Sequence, residues 1–170
     1  MCAGDGRDVI GVLRNHPRQN DVRAWLVELN GESIEAGMDR ASKAHLENSV
    51  RFLSQDATDY ATYRQIAPAN IILVCGVWGH VPADERPQLV QGLSTLCAPG
   101  GMVVWTCGAL RGMARPRAIQ SLFRGPAWEE VRVSVTLDTT WLVATHRYAG
   151  PRAEPPTSGA IFHFQRGIGR

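Results

Sequence analysis

A doubly wound α/β domain, with a mostly parallel sheet and an antiparallel late strand, is the fold class the sequence predicts. Short β-branched apolar runs alternate with amphipathic stretches along most of the chain. Two of those runs, residues 71–77 (IILVCGV) and 102–106 (MVVWT), are continuously apolar, as strands covered on both faces must be. A glycine-rich turn, Gly4-Asp5-Gly6, opens a helical pattern through Val9, Ile10, Val12 and Leu13.

The elements follow in order. Residues 22–29 (VRAWLVEL) read as a strand, stopped by Asn30-Gly31, and residues 33–46 as an amphipathic helix. Residues 50–53 are a short strand and 58–66 a brief helical stretch. Pro82 stands near the start of a helix running to about Cys97, and Pro99-Gly100-Gly101 is a strong breaker before strand 102–106. Residues 115–123 are helical, and 131–135 and 140–148 form the last two strands. The Pro-rich stretch 149–159 breaks the alternation, and 161–164 is expected to add a final short strand. The domain organisation is therefore a globular domain over 1–148 and a Pro-rich extension over 149–170.

Composition narrows the class. The 18 basic and 16 acidic residues nearly balance, and the arginines are scattered. Nucleic acid gets no electrostatic support as a partner. The longest apolar run falls far short of the roughly 20 residues a bilayer requires, and no basic-then-apolar leader opens the chain. A soluble, cytoplasmic protein is expected, with no membrane partner. Cys2, Cys75, Cys97 and Cys107 lack C-x-x-C spacing, and three lie in apolar runs. They read as reduced core residues, and no metal site is expected.

The chemistry starts at Cys2-Ala3-Gly4-Asp5-Gly6. A G-x-G turn entering a helix lets backbone N–H groups approach an anionic ligand, although alone it is equally a plain turn. Glu28 ends the following strand, about 20 residues on, where a carboxylate can accept from both hydroxyls of a ribose. Asp56, with Ala57, follows the 50–53 strand. An acid there can accept from an adenine amino group, or simply cap the next helix. A dinucleotide fingerprint would place a third glycine where Val9 stands, which disfavours NAD.

The segments CAGDGRD, LVELN, LSQDA, ILVCGVWGHVP and LCAPGGMVVWT together resemble a class I S-adenosylmethionine-dependent methyltransferase. The last two are most similar to actinobacterial members whose substrates are unassigned. The resemblance covers residues 1–148 and implies a Rossmann-like sheet of order 3-2-1-4-5-7-6 with S-adenosylmethionine as cofactor. It assigns the donor's amino-acid end to Ala3, Gly4, Asp5 and Gly6, the ribose to Glu28 with Leu29, the adenine to Asp56 with Ala57, and further donor contacts to the backbone of Cys75 and Gly76. The family's first strand is nearly absent, so Met1 and Cys2 are expected to be its end in a longer, N-terminally truncated domain.

The loop Cys75-Gly76-Val77-Trp78-Gly79-His80 is expected to lie across the crevice from the glycine loop, where methyl transfer would occur. His80 is the candidate general base, because an imidazole as a class titrates near neutral pH; the alternative is a surface or capping histidine. Trp78 either faces the donor or packs beneath the loop. Trp105, Trp141 and His146 fall on late strands, and His146 either approaches the acceptor pocket or is an ordinary strand residue. Without an N/D-P-P-Y/F motif, transfer to a nucleobase amino group or glutamine amide is disfavoured. The predicted function is methyl transfer to a small-molecule acceptor. A non-catalytic donor-binding or partner-binding module and an NAD-dependent reductase are the alternatives.

Overall fold

The computed structural model describes residues 1–109, 113–138 and 140–165. The chain divides into two compact units, Met1–Ala57 and Thr58–Arg170.

In the first unit the glycine turn leads into α1 (Arg7–Leu13), then β1 (Ala24–Glu28), α2 (Gly31–Lys43) and β2 (Val50–Ser54). Strands β1 and β2 pair in parallel, from Ala24 opposite Val50 to Glu28 opposite Ser54. The register brings Glu28 and the residues following Ser54 to the same carboxyl end. Asn30 does not merely stop β1. Its side chain accepts from Ser33 N at 2.8 Å and caps α2, which therefore begins two residues earlier than its apolar periodicity indicates. Ile10, Leu13, Leu26, Ala41, Leu46 and Val50 form the core, with Phe52 packed against it. Ala3 N donates to Val27 O at 3.0 Å, so the start of the chain runs beside β1.

The second unit holds β3 (Ala69–Val74), α3 (Arg86–Leu96), β4 (Cys97–Gly108), α4 (Ala114–Leu122), β5 (Trp128–Val135) and β6 (Trp141–Tyr148). Its sheet has the order β3-β4-β6-β5, parallel between β3 and β4 and antiparallel elsewhere.

Three expectations need correction here. Pro99-Gly100-Gly101 does not separate helix from strand: β4 begins at Cys97 directly after α3, and the extra residues are absorbed as a register shift opposite the step from Ala69 to Ile71. The stretch expected to be helical at 58–66 is only a 3₁₀ turn, Tyr60–Tyr63, and its cap is Asp59. Residues 161–164 add no strand. Asp59 and Ala160 make an isolated antiparallel bridge, and Ile161 and Phe162 are fully buried against the unit's core. Apolar spacing cannot distinguish a strand from a tail that plugs a core. Among the described residues, no helix is long and apolar enough to cross a membrane.

Candidate functional site

In the first unit the glycine turn needs backbone that side chains resist: Cys2, Gly4 and Gly6 have φ of 52°, 54° and 64°. At Gly6 an added Cβ would collide with Leu26, so the turn sits tightly on β1. At Gly4 nothing lies within 4 Å of that position, which leaves open space over the backbone.

Glu28 closes the turn from the end of β1. Its Oε2 accepts from Gly4 N at 2.8 Å, and its Oε1 accepts from Leu29 N at 2.9 Å and Asn30 N at 3.0 Å. A carboxylate offers about four acceptor positions, so capacity for a hydroxyl remains at Oε2. Asp56 is exposed and Ala57 buried. The cap of the 3₁₀ turn that follows is Asp59, whose side chain accepts from Ala61 N at 2.9 Å. Burial pushes the Cys2 thiol up to about 11, and the carboxylates of Glu28 and Asp56 push it the same way. The turn, Glu28 and Asp56 therefore share one neighbourhood within this unit.

Asp5 is committed elsewhere. Its carboxylate takes Arg7 through Nε and Nη2 and Arg40 Nη2 at 2.9 Å. Arg7 foremost, with Arg40, holds it well below the usual carboxylate range. The sequence reading missed this clamp, because Arg40 lies 35 residues away on α2 and no local pattern marks it. An open depression of about 610 Å³ lies over the turn, lined by Cys2, Ala3, Gly4 and Asp5 and by Asn30, Ser33 and Ala36 at the start of α2. Leu29 is largely exposed beside it in sequence.

In the second unit the loop after β3 carries Cys75, Gly76 and His80. Gly76 has φ of 73°, open space at its Cβ position, and an N–H that donates to Thr106 Oγ1 at 3.1 Å. His80 is exposed, its N–H donating to Val77 O and its carbonyl accepting from Gln165 N. Trp78 is fully buried and meets Trp105 and Phe123 edge-on, as the packing alternative requires. His146 also belongs to this aromatic cluster. It stacks on Phe123 with centroids 4.4 Å apart, and its Nδ1 accepts from Trp105 Nε1 at 3.2 Å. It is a core hydrogen-bond acceptor, not a pocket residue. None of the four cysteines is in a disulfide, and no metal-binding cluster occurs among the described residues.

The family described as "Putative methyltransferase" matches residues 1–136, and the chain belongs to it. Solved structures agree on the fold. An RNA methyltransferase from Salinibacter ruber, in complex with S-adenosyl-L-homocysteine, is 20% identical with a TM-score of 0.58, over 91% of this chain and 80% of that one. An O-methyltransferase family protein from Burkholderia thailandensis is 13% identical with a TM-score of 0.68, over 91% of this chain and 50% of that one. An O-methyltransferase family 2 protein from Planctomyces limnophilus, complexed with apigenin, is 14% identical with a TM-score of 0.68, over 86% and 48%. No curated protein matches in sequence. The architecture is thus the Rossmann-like α/β fold of methyltransferases, with an antiparallel strand set at one end.

Proposed function

We propose that the chain transfers a methyl group from S-adenosylmethionine to a small-molecule acceptor by direct in-line displacement. The observation that carries this reading is the placement of Glu28 at the carboxyl end of β1, hydrogen-bonded to Gly4 N and near Asp56. Ligands of open α/β sheets bind outside the carboxyl ends of the strands. S-adenosylmethionine supplies an electrophilic methyl carried on a sulfonium.

The residues present fit that donor. Glu28 retains acceptor capacity for a ribose hydroxyl, Asp56 with Ala57 takes the adenine edge, and the open backbone over Gly4 admits the amino-acid end. His80 accepts the proton that an attacking hydroxyl or amine gives up as its lone pair forms the new bond to carbon. Orientation alone supplies several kcal/mol in favourable cases, so the base assists and does not dominate. Near-balanced charge supports a small acceptor over a nucleic acid.

The test is turnover. The chain mixed with donor and a metabolite extract is expected to release S-adenosylhomocysteine, and calorimetry is expected to show donor binding. Binding without turnover by any extract would leave only the module reading. In His80→Ala the maximal rate should fall more than donor affinity; equal losses would assign His80 to structure.

A further inference from the structure

Two arginines converge on the loop that follows β3, and neither has a carboxylate partner among the described residues. Arg115, in the first turn of α4, lies over Gly79: a Cβ built there would stand 3.7 Å from Arg115 Nη1. Arg86, the first residue of α3, donates from Nε to Val81 O at 3.2 Å. Arg7, Arg18, Arg40, Arg147 and Arg152 all meet acids. Glu85, the chain neighbour of Arg86, is engaged with His163, accepting from its backbone N at 2.7 Å and lying 3.0 Å from its Nδ1.

The surroundings add positive charge. Neither α3 nor α4 has an acid in its first turn or a side-chain cap. The N-terminus of α4 therefore keeps its partial positive charge beside Arg115, whereas the N-cap residue of α3 is an acid, Glu85. Burial, followed by the charge of Arg115, holds Arg86 below its usual value, so the two guanidiniums act on each other. Both also act on Cys107, next to the last residue of β4. That puts the pair at the carboxyl end of the parallel strands, where ligands of such sheets bind. Two like charges brought together are unfavourable alone, and a shared anion relieves the repulsion while offering oxygens to both forks.

We propose that Arg86 and Arg115 form an anion subsite, which holds a carboxylate or phosphate group of the small-molecule methyl acceptor against the loop at 79–81. The identity of the occupant rests on the methyl-transfer reading; the anion subsite itself does not.

The first arm titrates inorganic phosphate, and separately acetate, into the isotope-labelled chain at constant ionic strength while amide resonances are followed. Saturable shifts at Gly79 and Val81 are expected, and Arg86→Gln with Arg115→Gln together should weaken binding by roughly tenfold or more. Tighter binding of phosphate assigns a phosphate monoester, and tighter binding of acetate a carboxylate. No saturable shift, or equal binding by a double variant that retains the wild-type melting curve, overturns the subsite. If the double variant does not fold, each single variant should still lose several-fold, and unchanged binding in both singles overturns it.

The second arm separates a metabolite extract on an anion exchanger and assays each fraction for S-adenosylhomocysteine release. Release by retained, ribonuclease-resistant fractions supports the proposal. Release only by unretained fractions refutes the anionic acceptor and leaves methyl transfer standing. Release that ribonuclease abolishes overturns the small acceptor in favour of RNA. Phosphate binding at the loop with no release by any fraction supports the subsite and counts against methyl transfer.

Discussion

Replacing Glu28 by Gln tests whether this residue only braces the glycine turn or also holds the donor. The substitution keeps size and shape but leaves one acceptor oxygen where three backbone N–H groups now converge from Gly4, Leu29 and Asn30. The amide NH₂ must then face either Gly4 N or the Leu29–Asn30 pair, donor against donor. Leu29 and Asn30 are exposed and can turn to water, so the amide oxygen should stay with Gly4. The cost to folding is then near 1 kcal/mol, or roughly 2–4 °C in Tm for a chain of this length. Donor binding should suffer as well. The ribose hydroxyl then meets a neutral oxygen in place of a charged one, a difference of about 1–1.5 kcal/mol that corresponds to a loss of about fivefold to tenfold in affinity. Thermal denaturation and titration calorimetry on the same preparation separate the two effects. A Tm drop with donor affinity unchanged within twofold would refute the ribose assignment and leave Glu28 as a brace.

Other perturbations follow from the same geometry. Gly6→Ala meets Leu26 Cδ2 and stands 3.0 Å from Phe52 Cζ at a φ of 64°; left-handed strain of about 1–2 kcal/mol is common to it and to Gly4→Ala at a φ of 54°, so overpacking of about 1–3 kcal/mol should lower Tm by several degrees more than Gly4→Ala, which meets nothing within 4 Å. Equal Tm losses in the two variants would contradict the tight seat of Gly6 on β1. Arg7 and Arg40 hold the Asp5 carboxylate low, so its contribution is complete above its ordinary value of 3.8 and is lost as pH falls below it; the urea midpoint of the wild type should therefore drop more between about pH 4 and pH 2 than that of Asp5→Asn. His146 is pushed down by burial, partly countered by Glu130 on β5, so the unfolded chain takes up a proton first. Stability should decline as pH falls below the ordinary 6.5, and His146→Gln, which keeps an acceptor for Trp105 Nε1, should remove that slope; a slope identical in both proteins would sink the linkage.

Local pattern was enough for the order of elements and for the residues at strand ends. Unbroken apolar runs at 71–77 and 102–106 and the shorter runs around them mark strands because period and β-branching are properties of neighbouring residues. Gly4, Gly6, Glu28 and Asp56 were legible because each stands at a fixed offset from a strand or helix end. Boundaries were less so: Asn30 reads as a stop for β1, yet it caps α2 through a bond that only the folded turn creates.

The sequence by itself determined the α/β class, the glycine turn and the acids at the carboxyl ends of its strands. The tertiary structure alone decided which partners those groups keep. Asp5 is clamped by an arginine from α2, Trp78 and His146 are sealed in an aromatic cluster with Trp105 and Phe123, and Ile161 with Phe162 fills a core in place of extending a sheet. It also brought Arg86 and Arg115 to one loop from two different helices. The physical reason is range. Periodicity and capping act over a few residues, whereas charge pairing and close packing join residues distant in the chain, and no local spacing records them.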